Sequence, residues 1–516
     1  MAADTAILGI DIGTSGCKAL LLSPAGTVLA THTATYDASA PRPGWSEQDP
    51  EDWITGARAA ISGVLAKRQS TKIAAIGLSG QMHGLTPLDE AHRVLRPAIL
   101  WNDQRNAVEC AEMTEVVGGR TALLAETNNR MLPGYTGGKI VWMRKHEPEL
   151  YRRLRHVLNP KDYLRLRLTG ELATEVSDAS GTGLFDVRRR TWSTKVMEVN
   201  QIDPAMLPAC HESQEISGRV SASAAVFFGL PEGLPVVGGG GDSVIQTIGS
   251  GVIDPGDLQA TVGTAGILAC ALAAPRDNPD GRLQVFCNVA PDRWHCMGVS
   301  LNAGGALAWL RRLAQGFGDL TENGWHDIPF DRLMDRAAAS TAGSRGLIFL
   351  PYLNGERCPY PDPNARGAFL GLTSRHSESD LIRSVLEGVV FALRDIYALM
   401  ADAGIAADCI RASGGGAASP FWRQIQADVF GCDVVTTEGA AEGGAFGAAI
   451  VAGVGVGIWP DASVAASHCR TVSRQSPSKQ QGVYAEMFDI YRTLYPALQN
   501  TFGRLADPIF DTEEQV

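Results

Sequence analysis

Two stretches far apart in the chain have nearly the same form. An apolar run from Ile7 to Ile12 meets Gly13-Thr14-Ser15-Gly16, and a second apolar run, Ala19 to Leu22, follows. Leu258 to Val262 likewise meets Gly263-Thr264-Ala265-Gly266 and continues into Ile267 and Leu268. Each predicts a β-hairpin with a glycine-bounded turn. Glycine lets a turn take positive φ and approach a ligand closely, so the turn N–H groups can converge on an anion. Thr14, Ser15 and Thr264 add hydroxyl donors beside Gly13 and Gly263. One such turn is an ordinary tight turn. Its repetition with strands on both flanks predicts a duplicated fold and two grips on a polyphosphate. The copies differ at one position: Asp11 precedes the first turn where Thr261 precedes the second. Only the first copy brings a carboxylate to the phosphates. Lys18, further along the returning strand, points either to those phosphates or to solvent.

At 516 residues the chain is too long for one core. Two large domains are expected, residues 1–252 and 253–516, with the boundary near Gly251 to Gly256. A net charge of −11 argues against nucleic-acid partners and against an anionic membrane surface. No window approaches the roughly 20 apolar residues of a membrane span, and the chain begins without a basic leader, so a cytoplasmic address is expected. The 10 cysteines contain no C-x-x-C, which predicts free thiols and no zinc site.

In chain order, Glu51 to Lys67 predicts a helix with Pro50 in its first turn. Lys72 to Leu78 predicts a strand ending at Ser79-Gly80-Gln81-Met82-His83-Gly84. A second strand-like run, Val94 to Leu100, ends at Trp101-Asn102-Asp103. Loops beyond the carboxyl ends of strands are where an open α/β sheet holds its ligands. Leu234 to Val237 breaks into four glycines before Asp242 and Ser243, so backbone can pack closely around that carboxylate; the plain alternative is an aspartate capping the helix that follows. Asn302 to Gly305 opens another helix, and Cys409 to Ala412 ends at Ser413-Gly414-Gly415-Gly416. Glu442 to Ile450 predicts a helix of small residues, and the tail past Asp507 is polar.

Asp11-Ile12-Gly13-Thr14-Ser15-Gly16, Gln81 to Gly84, Trp101 to Asp103, Gly239 to Asp242 and Ser413 to Ala417 together resemble the FGGY carbohydrate kinases. Both signatures of that family are matched, one at Gly134, Thr136, Lys139, Ile140 and Trp142, the other from Gly367 through Phe369, Gly371 and Leu372 to Asp380, Leu381 and Glu387. The resemblance implies an α/β fold of two ribonuclease-H-like domains, of the actin and hexokinase type, with ATP and sugar in a central cleft. It implies Asp242 as general base and Asp11 as the residue that meets the Mg²⁺ accompanying ATP, through water. Gly13, Thr14, Ser15, Lys18, Gly263 and Thr264 would hold phosphates. Gly415 and Gly416 would lie against adenosine, with Gly305 along the same site. Met82, His83, Trp101, Asp103, Asp242 and Ser243 would face the sugar. The implied reaction is ATP-dependent phosphorylation of a sugar hydroxyl, with D-xylulose first and another ketose or polyol as the alternative. Ser243 departs from the asparagine that follows the base in the similar kinases, which leaves the pentose open. The partners expected are a small-molecule sugar and ATP, with a second copy of the chain as a candidate. From another class, the same duplicated fold serves chaperone- and filament-type ATPases.

Overall fold

Strand β1 (Thr5–Ile12) turns back on β2 (Gly16–Leu22), and the N–H of Gly13 closes the turn on the carbonyl of Gly16 at 2.9 Å. β3 (Val28–Thr35) extends this antiparallel meander. Helix α1 (Pro50–Lys67) starts where the Asp49 side chain accepts the N–H of Glu51, an N-cap that satisfies one of the orphan donors of a first turn. The chain returns as β4 (Lys72–Gly80), parallel to β1. Helices α2 (Thr136–His146) and α3 (Pro160–Thr169) follow, then β5 (Ile216–Arg219), β6 (Pro235–Val237), the two-residue β7 (Gly240–Gly241) and α4 (Asp242–Gly249). The expected strand at Val94 to Leu100 shrinks to Ala98–Ile99, paired with Glu47–Gln48; Pro97 has no N–H to give a ladder.

The second hairpin is β8 (Asp257–Val262) and β9 (Gly266–Leu272), closed by the N–H of Gly263 on the carbonyl of Ala265. β10 (Trp294–Ser300), α5 (Gly304–Gly318), α6 (Glu378–Asp402), β11 (Cys409–Ser413), α7 (Pro420–Phe430), β12 (Asp433–Thr437), α8 (Gly443–Gly455) and β13 (Thr471–Gln475) complete the elements used below. This computed structural model describes residues 5–68, 71–278, 280–318 and 328–506; the polar tail past Asp507 lies outside them.

The duplication expected from the hairpins extends through both sheets. One sheet runs β3-β2-β1-β4-β6-β5 and the other β10-β9-β8-β11-β12-β13. In each, an antiparallel hairpin is followed by two parallel strands and an antiparallel last one. The registers match as well: Asp11 lies opposite Ser79 in one sheet, and Thr261 opposite Ser413 in the other. β1 and β4 are almost continuously buried, because such a sheet is covered on both faces. Leu8, Ile10, Ile76 and Leu78 share one core with Trp53 and Ile61 of α1 and Leu164 of α3. The second signature is structural here: Asp380 closes a capping box with Ser377, and buried Glu387 accepts from Gly343 N, Ser344 Oγ, Arg383 Nε and the Tyr484 hydroxyl.

Grouped by compactness, each unit draws on separated segments of chain. Met1–Pro255, Ala271–Cys296 and Glu442–Arg470 form one unit; Gly256–Cys270, Met297–Ala441 and Thr471–Val516 form the other. The physical reason is α8. It lies on β1 and β4 so closely that a Cβ at Gly9 would stand 1.9 Å from the carbonyl oxygen of Ala445, and one at Gly77 the same distance from that of Ala448. Glycine in a strand costs backbone entropy and packing, and here the return is helix-to-strand contact at backbone distance. Gly77→Ala is therefore expected to destabilise the first unit at or beyond the upper end of the roughly 1–3 kcal/mol range of overpacked sites, read as a lowered denaturation midpoint. An unchanged midpoint would show that the helix can lift off freely.

Candidate active site

The carboxyl ends of β1 and β4 carry Asp11 and Ser79, and the Ser79 hydroxyl donates to Asp11 Oδ1 at 2.7 Å. Burial raises the pKa of Asp11, opposed by that hydrogen bond and by the charge of Lys18. Lys18 pairs with Glu442 at 3.2 Å, with both side chains partly exposed. Gly444, in the first turn of α8, leaves room for Asp11: a Cβ there would meet its carboxyl carbon at 2.5 Å. The second half keeps the same bond without the charge, with Thr261 Oγ1 and Ser413 Oγ 2.7 Å apart.

Asp242 stands at the start of α4, but Gly241 is the N-cap and no side chain caps the helix. The capping alternative is thus not realised. The carboxylate accepts the N–H of Ser243 at 2.8 Å and that of Met82. Burial, with the negative charge of Asp11 added, pushes its pKa up to about 7. The glycines before it are required: Gly239 has φ +72°, and a Cβ would lie 2.0 Å from the carbonyl of Leu78.

His83 sits in the left-handed region, φ 70°, which a non-glycine residue adopts only when held there. Lys139 Nζ and Thr136 Oγ1 both donate to its carbonyl, at 2.8 and 3.1 Å. Thr136 and Lys139 therefore fix the Gln81 to Gly84 loop from behind. Lys139 also donates to the Gly134 carbonyl at 2.6 Å, and burial lowers its pKa to about 7 against the pull of Asp103. The His83 ring stacks on Tyr135, and its Nδ1 lies 2.7 Å from the Gly181 carbonyl. A carbonyl only accepts, so Nδ1 carries the proton and Nε2 of the neutral ring is an acceptor.

Several sequence expectations are redirected. Asp103 is fully buried, and its oxygens accept from Ser46 N, Arg105 N and the Arg105 guanidinium; it shapes its loop and has no lone pair turned to a sugar. Met82 is buried as well: it gives its N–H to Asp242, and its sulfur accepts from the Ser243 hydroxyl at 3.1 Å. The single hydroxyl proton of Thr14 goes to Gln81 Oε1, while Trp101 Nε1 donates to the same oxygen of Thr14. The N–H groups of Gly13 and Gly263 are consumed in closing their turns, so the N–H groups of Thr14 and Ser15 in one turn, and of Thr264 and Ala265 in the other, are those an anion can take.

In the second unit a cavity of about 760 Å³ brings together Gly263, Thr264, Asn302, Gly305, Gly415 and Gly416, with Trp309 and Trp422 in its wall. The entry to α5 docks directly on the hairpin: Ala303 N and Gly305 N donate to the Thr264 carbonyl, and Gly304 N to that of Gly263. Gly305 therefore lines the cavity with its N–H already committed. Gly414, φ +76°, lets the loop after β11 rest on Val262. Sequence reasoning missed Glu175 to Gly181, whose side chains and carbonyls support both the Asp242 loop and the His83 ring; a buried polar segment leaves no periodic signal.

The duplicated sheets define an actin/hexokinase-type fold. The chain matches the N-terminal domain of the FGGY family of carbohydrate kinases over residues 6–249 and the C-terminal domain over residues 258–456, and it belongs to that family. It is 39% identical over 445 residues to the xylulose kinase of Escherichia coli (strain K12), covering 86% of this chain and 89% of that one. A xyloylose kinase from Brucella ovis superimposes with TM-score 0.89 at 37% identity, over 96% of this chain and 100% of the other. A ligand-bound xylulose kinase from Lactobacillus acidophilus gives TM-score 0.90 at 27% identity, over 97% and 100%.

The raised pKa of Asp242 has a consequence for stability. Its folded value, about 7, lies above the ordinary 3.8, so ionisation penalises the native state fully above pH 7, and the penalty disappears as pH falls toward the unfolded value. Asp242→Asn is expected to melt at a higher temperature than the parent at pH 8, with the gap closing between pH 7 and pH 4. A gap that does not depend on pH, in thermal scans across that range, would contradict this assignment.

Proposed function

We propose that this chain transfers the γ-phosphoryl group of ATP to a hydroxyl of D-xylulose, giving D-xylulose 5-phosphate, with Asp242 as general base. The observation that carries the reading is the Asp242 carboxylate, held by two backbone N–H groups beside the His83 loop and raised to about 7. Such a group is a stronger base than an ordinary aspartate, yet is still ionised in good part at neutral pH. The kinases to which the chain is similar, named for xylulose at up to 39% identity, supply the substrate.

In this reading the sugar hydroxyl gives its proton to Asp242 as its oxygen bonds to the γ-phosphorus, and the bond from that phosphorus to the β–γ bridging oxygen breaks to release ADP. His83 Nε2 accepts from a sugar hydroxyl, and Trp101 walls the same loop. Gly415 and Gly416 lie against adenosine, and the N–H groups of Thr264 and Ala265 take phosphate oxygens, charge-assisted bonds of roughly 1.5–3 kcal/mol each. Among the described residues no group of three or more metal-type side chains comes together. That suits a magnesium ion held by Asp11 with water and the nucleotide's own oxygens, where it would neutralise phosphate charge. No helix among the described residues is long and apolar enough to cross a membrane, and we place the reaction in the cytoplasm.

A coupled ADP-release assay over a panel of ketoses and polyols tests the substrate. D-Xylulose is expected to give the highest kcat/KM, and a larger value for a polyol or another ketose would reassign it. ADP release stimulated by peptides and by no sugar would move the chain to the ATPase class. Asp242→Ala is expected to bind both substrates and to turn over roughly 10²–10⁴-fold more slowly. In the parent, kcat/KM should fall about tenfold per pH unit below pH 7, because the protonated carboxyl cannot accept. A flat profile from pH 8 to pH 5.5 would remove Asp242 from the role.

A further inference from the structure

A loop of glycines cannot aim the residue at its end, because glycine brings no side chain to lock its own torsions. The orientation of Asp242 must be imposed from outside, and the buried side chains behind Gly238 to Gly241 show how. The Ser177 hydroxyl accepts the N–H of Gly241 at 3.0 Å and donates to Glu175 Oε1 at 2.9 Å. Ser213 donates through its hydroxyl to Glu175 Oε2 at 2.6 Å, and its carbonyl accepts the N–H of Gly239 at 2.9 Å. The N–H groups of Ser177 and Asp178 also donate to Glu175, at 2.7 and 2.8 Å. Glu175, Ser177 and Ser213 are all fully buried. On the other side Arg165 donates to the carbonyls of Val237 and Gly238.

The chemistry of the hydroxyl makes this arrangement directional. A serine has one hydroxyl proton. Once Glu175 takes it, the rotor is fixed and a lone pair is held toward Gly241 N–H. The peptide so held joins Gly240 to Gly241, one unit before the bond into Asp242.

We propose that Ser177, oriented by Glu175, is a positioning residue for phosphoryl transfer: its hydroxyl fixes the backbone immediately before Asp242 and thereby aims the carboxylate at the acceptor hydroxyl. This rests on the reading of Asp242 as the base. It assigns Ser177 no contact with sugar or nucleotide.

The experiment places Ser177→Ala in two backgrounds, the parent and Asp242→Asn, and measures kcat and sugar KM on full-length folded protein. In the parent background kcat is expected to fall roughly 10- to 100-fold, the scale of a small misplacement of a reacting group, with sugar KM changed less than about threefold. In the Asp242→Asn background the further loss is expected to be less than about twofold, because a residue that acts through the base has nothing left to aim. Equal losses in both backgrounds, or a raised KM with unchanged kcat, would mean a general structural role and overturn the proposal. Unchanged kinetics for Ser177→Ala beside an inactive Asp242→Asn would overturn the positioning role alone. Near-normal turnover of Asp242→Asn would overturn the base reading itself. Ser213→Ala keeps the carbonyl that accepts Gly239 N–H but takes from Glu175 one of the hydroxyls that fix it; by loosening the carboxylate that orients Ser177 it is the second variant and follows the same criteria where Ser177→Ala does not fold.

Discussion

Backbone-to-backbone contact between α8 and the strand pair β1–β4 is the constraint on which the first unit is built. Two glycines permit it, Gly9 and Gly77 in the strands, while Gly444 in the helix leaves room for the Asp11 carboxyl. The contact brings the start of α8 beside Asp11 and gives Lys18 its partner in Glu442. The helix also meets α4 closely, since a Cβ on Gly447 would stand 2.2 Å from the Ile245 carbonyl. The helix that begins at Asp242 is thus located by the same packing that locates Asp11. Asp11 and Asp242, close enough that the charge of Asp11 raises the pKa of Asp242, are held apart by rigid elements rather than by loops.

The two halves show what duplication keeps and what it lets diverge. Both keep the sheet order, the glycine hairpin and a serine opposite the residue that precedes the turn. In the first half that residue is an aspartate, and the next strand ends in the Gln81 to Gly84 loop. In the second it is a threonine, and the equivalent strand ends in glycines that border a cavity. One framework therefore yields the surroundings of two buried carboxylates in one place and a glycine-bordered cavity in another, through a few side chains at strand ends.

Both hairpins, the loops at the ends of β4 and β11, and the candidate base are legible in the sequence, because turn glycines, hydroxyls and apolar runs act over a few residues. The use of individual donors is not legible. Whether the N–H of Gly13 or Gly305 meets a ligand depends on turn closure and helix docking, which spend both within the protein. Asp103 reads as a sugar ligand until Arg105, two residues on, is seen to occupy it; the D-x-R spacing was the available signal. The placement of α8 in the first unit is a long-range packing outcome. Only the glycines opposite its alanines hint at it, and neither set is informative alone.

The first unit is stitched from three separated pieces of chain, the last ending at Arg470. On a ribosome its principal sheet is complete once Gly241 emerges, yet the helix that covers the Gly9 and Gly77 face is not made until residue 455. At about 5–20 residues per second that is a wait of roughly 10–40 s. During it a glycine-floored apolar surface lies open on the nascent polypeptide, so a holding chaperone at that stage would serve this protein more than one acting after release.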